Sequence, residues 1–211
     1  RDEAWKKQTI ANTSELQFEQ EFGNSFLGTG NTLISANCLL GLQGHDALWA
    51  KENVHLYAEP EKENQYIMTV DVARGRGQDY STFSVFDVSE KPFKQVGIYR
   101  DNMISPLLFP DIIARYATLY NEALVVVENN DQGQIVCNSL HYDIEYPNVF
   151  TQSSVKASGI GVTMTRKVKQ IGCSTLKELM EENKLRVIDK FTINELVTFV
   201  GKGQSYEADG G

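Results

Sequence analysis

The strongest alternation of apolar and polar positions begins at Tyr66. Residues 66–72 form an apolar, β-branched run that predicts a buried strand, broken by a single carboxylate, Asp71. A basic, glycine-rich turn follows, Arg74-Gly75-Arg76-Gly77, with a second acid at Asp79. Further strands are predicted over 82–88 and 94–100, and the short links make the three an antiparallel meander. Apolar positions at Leu108, Ile112, Ile113, Tyr116 and Leu119 predict a helix over 106–121, with Pro106 near its start. Residues 123–128 are a continuous apolar run typical of a central parallel strand, ending on Glu128. Asp131 is placed to cap a helix over 132–141.

A short strand around 148–150 and a polar loop or hairpin over 152–165 come next. A helix over 166–183, a short strand over 185–188 and a helix from Thr192 to about Val200 follow. The remainder, to Gly211, reads as a glycine-ended loop. Before Tyr66 the pattern is weaker. Residues 1–24 read as helical, 33–50 are weakly periodic, and 54–57 are a strand candidate. Residues 1–60 therefore read as a linker and lead-in, and 61–211 as the main domain. The chain starts at Arg1 rather than Met, as expected of a domain cut from a longer product.

This order predicts an α/β fold: a mixed central sheet, three antiparallel strands then parallel strands, flanked by helices. A right-handed β-α-β crossover would lay the strand ending at Glu128 beside the one ending at Asp71. A carboxylate in a strand that is otherwise buried is costly unless a cation or donor meets it. Neighbouring carboxylates cannot all stay ionised without cations. Mg²⁺ is held in this way, by a few carboxylates with water and substrate phosphate. The bland alternative is that Asp71 pairs with Arg74 or Arg76 and that Glu128 caps a helix.

Composition narrows the class. With 211 residues, 41% hydrophobic and 23% charged, the chain can bury a real core and is not of disordered type. No apolar run is long enough to span a bilayer, and no signal peptide is visible. Cys38, Cys137 and Cys173 are far apart, and His45, His55 and His141 form no metal-spaced pair, so neither a disulfide framework nor a zinc site is indicated. The net charge of −8 disfavours nucleic acid at first sight, but residues 151–190 carry eight basic and four acidic side chains. A local basic stretch can track phosphates within an acidic protein, or can be a solvated helix face.

The segments Met68-Thr69-Val70-Asp71-Val72-Ala73-Arg74-Gly75 with Asp79-Tyr80-Ser81, and Leu124-Val125-Val126-Val127-Glu128-Asn129-Asn130, resemble the nuclease domain of the large terminase subunit of tailed bacteriophages, in particular the T-even-like group. The likeness extends to the lead-in Gln20-Glu21-Phe22-Gly23-Asn24-Ser25-Phe26-Leu27-Gly28, which resembles the join between the terminase ATPase and nuclease domains. The resemblance implies an RNase H-like fold and a divalent-metal-dependent endonuclease that cuts concatemeric viral double-stranded DNA during genome packaging, with little sequence specificity. It implies two ions, Mg²⁺ or Mn²⁺, held by Asp71 and Glu128 as catalytic acids, with Asp79 in support.

On that reading the basic side chains are assigned to DNA, Arg74 and Arg76 to phosphates near the metals and Lys156, Arg166, Lys167 and Lys169 to an outer phosphate track. The resemblance also implies partners: the ATPase domain, the portal and the small terminase subunit, in the cytoplasm of the infected bacterial host. The family's third carboxylate follows its last strand; no residue after Val200 reads as that acidic helix, so it is expected beyond Gly211. No G-x-x-x-x-G-K-[ST] motif is present, and Arg74-Gly75-Arg76-Gly77 joins two strands instead of opening a helix. Rival readings are a non-catalytic RNase H-like module that docks DNA or portal, and a resolvase-type nuclease.

Overall fold

The computed structural model describes residues 32–154, 157–202 and 205–208, so the helix expected over 1–24 lies outside the described residues. The chain divides into two units, residues 47–168 and residues 1–46 with 169–211. The first described helix, α1 (Ala36–Gly41), belongs to the smaller one.

The larger unit is built on a mixed sheet. Its strands are β1 (Trp49–Lys51), β2 (Val54–Leu56), β3 (Tyr66–Asp71), β4 (Ser81–Asp87), β5 (Phe93–Asp101) and β6 (Leu124–Val127), in the order β1-β2-β5-β4-β3-β6. The β3-β4-β5 meander is antiparallel, and β6 joins the far side of β3 in parallel, as the crossover rule predicts. The lead-in expected to reach residue 60 meets the sheet earlier, because β1 is its edge strand and β2 lies between β1 and β5.

Alternation decides which face is buried. Tyr66, Met68 and Val70 on β3, Phe83 and Val85 on β4, and Val125 and Val127 on β6 all point into one core. Helix α2 (Phe109–Leu119) closes it with Phe109, Ile113, Tyr116 and Ala117. This helix starts three residues after the Pro106 that the sequence favoured, and Pro110 occupies its first turn. Before it, the Ser105 carbonyl accepts from the N–H groups of Leu108 and Phe109 in a tight turn. The buried face shifts accordingly, leaving Leu108 and Leu119 exposed. At the centre, Phe83 stacks on Tyr99 with centroids 5.4 Å apart, and Tyr99 on Phe109 at 5.2 Å. Such pairs add specificity to the area they bury.

Beyond β6 come the short helix α3 (Gly133–Asn138) and a π-helical turn (Ser139–Asp143), which bring Val136, Cys137 and Leu140 to the same core. The polar stretch after residue 150 forms a hairpin of β7 (Thr151–Ser154) and β8 (Ala157–Ile160).

Helix α4 (Arg166–Glu181) leads into the smaller unit, which also holds β9 (Leu185–Arg186), α5 (Lys190–Thr198) and a hairpin of β10 (Phe199–Lys202) with β11 (Ser205–Ala208). The end of the chain, expected to be a loop, is thus a strand over residues 205–208. Leu33, Ile34 and Leu39 pack with Met180, Val187, Ile193 and Leu196 in a core of their own. Asp189, fully buried, caps α5 by accepting from the Thr192 backbone N–H at 2.6 Å and hydroxyl at 2.8 Å.

Candidate metal and nucleic-acid site

Asp71 and Glu128 meet because β3 and β6 are parallel and in register. Val70 pairs with Val127, and the Glu128 N–H donates to the Val70 carbonyl at 2.9 Å. Each acid stands one residue past that pair, on the face opposite the buried valines. Across β3, Asp71 pairs with Thr82, which pairs with Arg100. One row of the sheet therefore reads Arg100, Thr82, Asp71, Glu128. The Arg100 guanidinium lies 3.5 Å from the Tyr80 ring centroid, a cation–π contact beside Asp79. Sequence reading gave Arg100 no role; its only local signal was a cation near the end of a strand.

Asp71 opens to solvent, yet neighbouring atoms crowd its carboxyl. That desolvation raises it above the ordinary carboxylate range, against the Val72 N–H hydrogen bond, and the negative charge of Asp79 raises it further. The exposed Asp79 is thus close enough to act on Asp71 through space. Among the described residues no ion pair joins Asp71 to Arg74 or Arg76, the pairing weighed from the sequence; Arg74 is paired with Asp131 instead. Among the described residues no group of three or more His, Cys, Asp or Glu side chains is arranged to hold a metal ion. Two adjacent acids facing outward, one destabilised in its ionised form, still fit a divalent cation that keeps several waters.

The loop between β3 and β4 is held at several points. The buried Ser81 hydroxyl accepts from the Ala73 N–H at 3.0 Å, and the Gly77 N–H donates to the Asn102 carbonyl at 2.9 Å. Gly75 has φ +65°, and a Cβ there would stand 2.3 Å from the Ile104 carbonyl oxygen. These contacts hold the loop as a connection between the two strands. Arg74 bonds Asp131 through Nε at 3.0 Å and Nη2 at 2.9 Å. Asp131 is therefore not the helix cap expected: Gln132 holds that position, with no side-chain cap, and Asp131 adopts φ +48°. The Arg74 hydrogen bond, with one from Gln132, holds the Asp131 carboxyl below its usual range.

The loop after β6 is equally constrained. The Glu128 carbonyl sits so close to Gly133 that a Cβ there would lie 1.8 Å from it. Asn130 clamps Met164 in both directions, accepting from its N–H at 2.8 Å and donating to its carbonyl at 3.2 Å. Asn129 donates to the Ile160 carbonyl at 2.9 Å. The segment entering α4 is thus strapped to the strand that carries Glu128. Thr165 opens α4 by accepting from the Val168 N–H at 3.2 Å. Arg166 and Lys167 are exposed in its first turn and Lys169 is half-buried one turn on. Arg76 is exposed on the β3–β4 loop, and Lys156 lies outside the described residues.

The mixed sheet with flanking helices is an RNase H-like fold. Residues 68–209 match the family described as the Terminase RNaseH-like domain, and the chain belongs to that family. It is 29% identical, over 189 residues, to the large terminase subunit of Thermus virus P23-45, covering 88% of this chain and 35% of that protein. The chain thus spans about a third of the length of that relative. Among solved structures, it superposes with a TM-score of 0.70 and 20% identity on the magnesium-bound large terminase nuclease of thermophilic phage G20c, covering 87% of this chain and 90% of that one. The large terminase nuclease domain of Thermus phage P74-26 gives 0.64 at 22% identity, over 85% and 87%. A zinc-bound form of the G20c nuclease gives 0.62 at 23%.

Proposed function

We propose that the chain is a divalent-metal-dependent endonuclease domain that cuts concatemeric viral double-stranded DNA during phage genome packaging. The carrying observation is the register of β3 and β6, which sets Asp71 and Glu128 side by side on an outward face. Asp71 and Glu128 would hold the metal, Mg²⁺ or Mn²⁺ as a pair of ions, and Asp79 adds negative charge beside them. Bound ions of this kind activate water and stabilise the leaving 3′ oxygen of a phosphodiester. The chain's own part is to hold the two carboxylates on rigid strand ends and to steer the duplex. Arg76, Arg166, Lys167, Lys169 and Lys156 would meet phosphates, which position DNA without reading sequence. Metal-bound large terminase nucleases of similar fold support this reading. It brings with it the proposed terminase partners, an ATPase domain, the portal and the small subunit, and a place in the host cytoplasm. The T-even-like affinity rests on the motifs around Asp71 and Glu128.

The test is plasmid nicking and linearisation with Mg²⁺ or Mn²⁺, comparing the chain with Asp71→Asn and Glu128→Gln. Abolished cleavage in each variant, with circular dichroism unchanged, is expected. Full activity in both variants overturns the assignment. The non-catalytic docking reading draws on the lack of a three-ligand cluster among the described residues. It requires DNA binding that is indifferent to chelator and no cleavage at all.

A further inference from the structure

We propose that Asp131 is a positioning residue for Arg74: it keeps the guanidinium off the Asp71–Glu128 pair and releases it to a DNA phosphate when duplex docks. The inference rests on the nuclease reading above. Arg74 is three residues past Asp71 and Asp131 three past Glu128, so their ion pair bridges the loops that leave the two acid-bearing strands. Both Arg74 donors converge on one oxygen, Oδ2, while Oδ1 accepts from Gln132 at 3.2 Å. The parallel, two-oxygen fork that makes arginine–carboxylate pairs strong is therefore not made.

The pair is also unnecessary for holding either loop. Ser81, Asn102 and the close fit of Gly75 under Ile104 fix one; the Asn130–Met164 clamp and the Gly133–Glu128 contact fix the other. Its side chains are 61% and 56% exposed, where ion pairs add little stability and exchange readily. What remains for it is electrostatic. The acids Asp71 and Glu128, with Asp79 on the adjoining loop, attract the nearest cation, and Arg74, three residues past Asp71, is the nearest in sequence. An arginine seated there would occupy the place of a metal ion. Asp131 supplies a competing partner. A phosphate offers Arg74 the same charge with better fork geometry, and the exposed Asp131 left behind is readily hydrated.

Two measurements on the 211-residue chain test this. In the first, a short duplex is titrated by fluorescence anisotropy in EDTA across a KCl series. Arg74→Ala should weaken binding and make the slope of log K against log salt shallower by about 0.9, one phosphate's worth. Arg74→Lys and Asp131→Asn should keep the full slope, and Asp131→Asn combined with Arg74→Ala should match Arg74→Ala alone. In the second, Mn²⁺ binding is followed without DNA. Asp131→Asn should weaken it several-fold, and adding Arg74→Ala should restore it, a rescue that a merely structural role would not produce. An unchanged slope in Arg74→Ala, or Mn²⁺ affinity indifferent to Asp131→Asn, overturns the proposal while leaving the nuclease reading intact. Absence of any salt-dependent DNA binding by the unmutated chain would remove both.

Discussion

Asp71 and Glu128 share one rung of the sheet: each follows a member of the Val70–Val127 pair on adjacent parallel strands. The 56 residues between them carry β4, β5, α2 and β6, yet backbone hydrogen bonds alone bring the two acids together. The backbone beneath them is stiff, because Gly75 and Gly133 both press against carbonyls where no side chain fits. A site built this way holds its carboxylates in place before any ligand arrives.

The carboxyl of Asp71 links pH, metal and stability. Its pKa is raised in the folded chain, first by desolvation and then by Asp79. The folded state therefore holds the proton to higher pH than the unfolded state, and stability falls as pH rises through the shifted value. At neutral pH without metal, Asp71→Asn should melt at a higher temperature than the parent, with the gap closing on acidification towards about pH 4. Mg²⁺ or Mn²⁺ should raise the parent's melting temperature and move the variant much less. Differential scanning fluorimetry with and without EDTA checks both; an equal metal shift in the two proteins would remove Asp71 from the ligand set.

Gly133→Ala should disrupt the loop behind Glu128. The new Cβ would stand 1.8 Å from the Glu128 carbonyl oxygen, a backbone atom that cannot swing aside. A loss of about 2 kcal/mol or more is expected, lowering the melting temperature by roughly 4 to 8 °C for a chain of this size. Cleavage should fall further than the population of folded protein alone accounts for.

Asp189→Ala tests the smaller unit independently. It removes a buried cap that accepts two hydrogen bonds from Thr192 at the start of α5. Urea titration should show a loss of about 1 to 2 kcal/mol. The affinity of the folded chain for duplex DNA should hold.

Lys167→Ala and Arg76→Ala should each weaken duplex binding uniformly across sequences. The salt slope should drop by about 0.9 for each phosphate that the variant no longer neutralises. A variant whose affinity changes on one sequence and not on another would point to base recognition instead. Anisotropy with two unrelated duplexes makes that comparison.

Much of the larger unit was readable from local pattern. Residues 66–72, 82–88 and 94–100 alternate or run apolar because each must bury one face, and burial leaves its period in the sequence. Asp71 and Glu128 stood out because a charge at the edge of an apolar strand needs a reason. Asp131 departs from its local pattern: an acid ahead of a helix looks like a cap, while its actual partner lies 57 residues away. Arg100 was overlooked because its place in the row depends on two successive strand pairings.

The smaller unit shows the same limit more sharply. Leu33, Ile34 and Leu39 form too short a stretch to display a period, and the residues they pack with lie more than 140 positions on, at Met180, Ile193 and Leu196. The strands of residues 66–101, the antiparallel meander and the candidate acids are legible in the chain alone, because they follow from local burial and turn chemistry. The exact rung shared by Asp71 and Glu128, the Arg74–Asp131 bridge and the joining of residues 32–46 to the region after 169 emerge only in the folded chain. Those depend on register and on packing between distant segments, which no local pattern encodes.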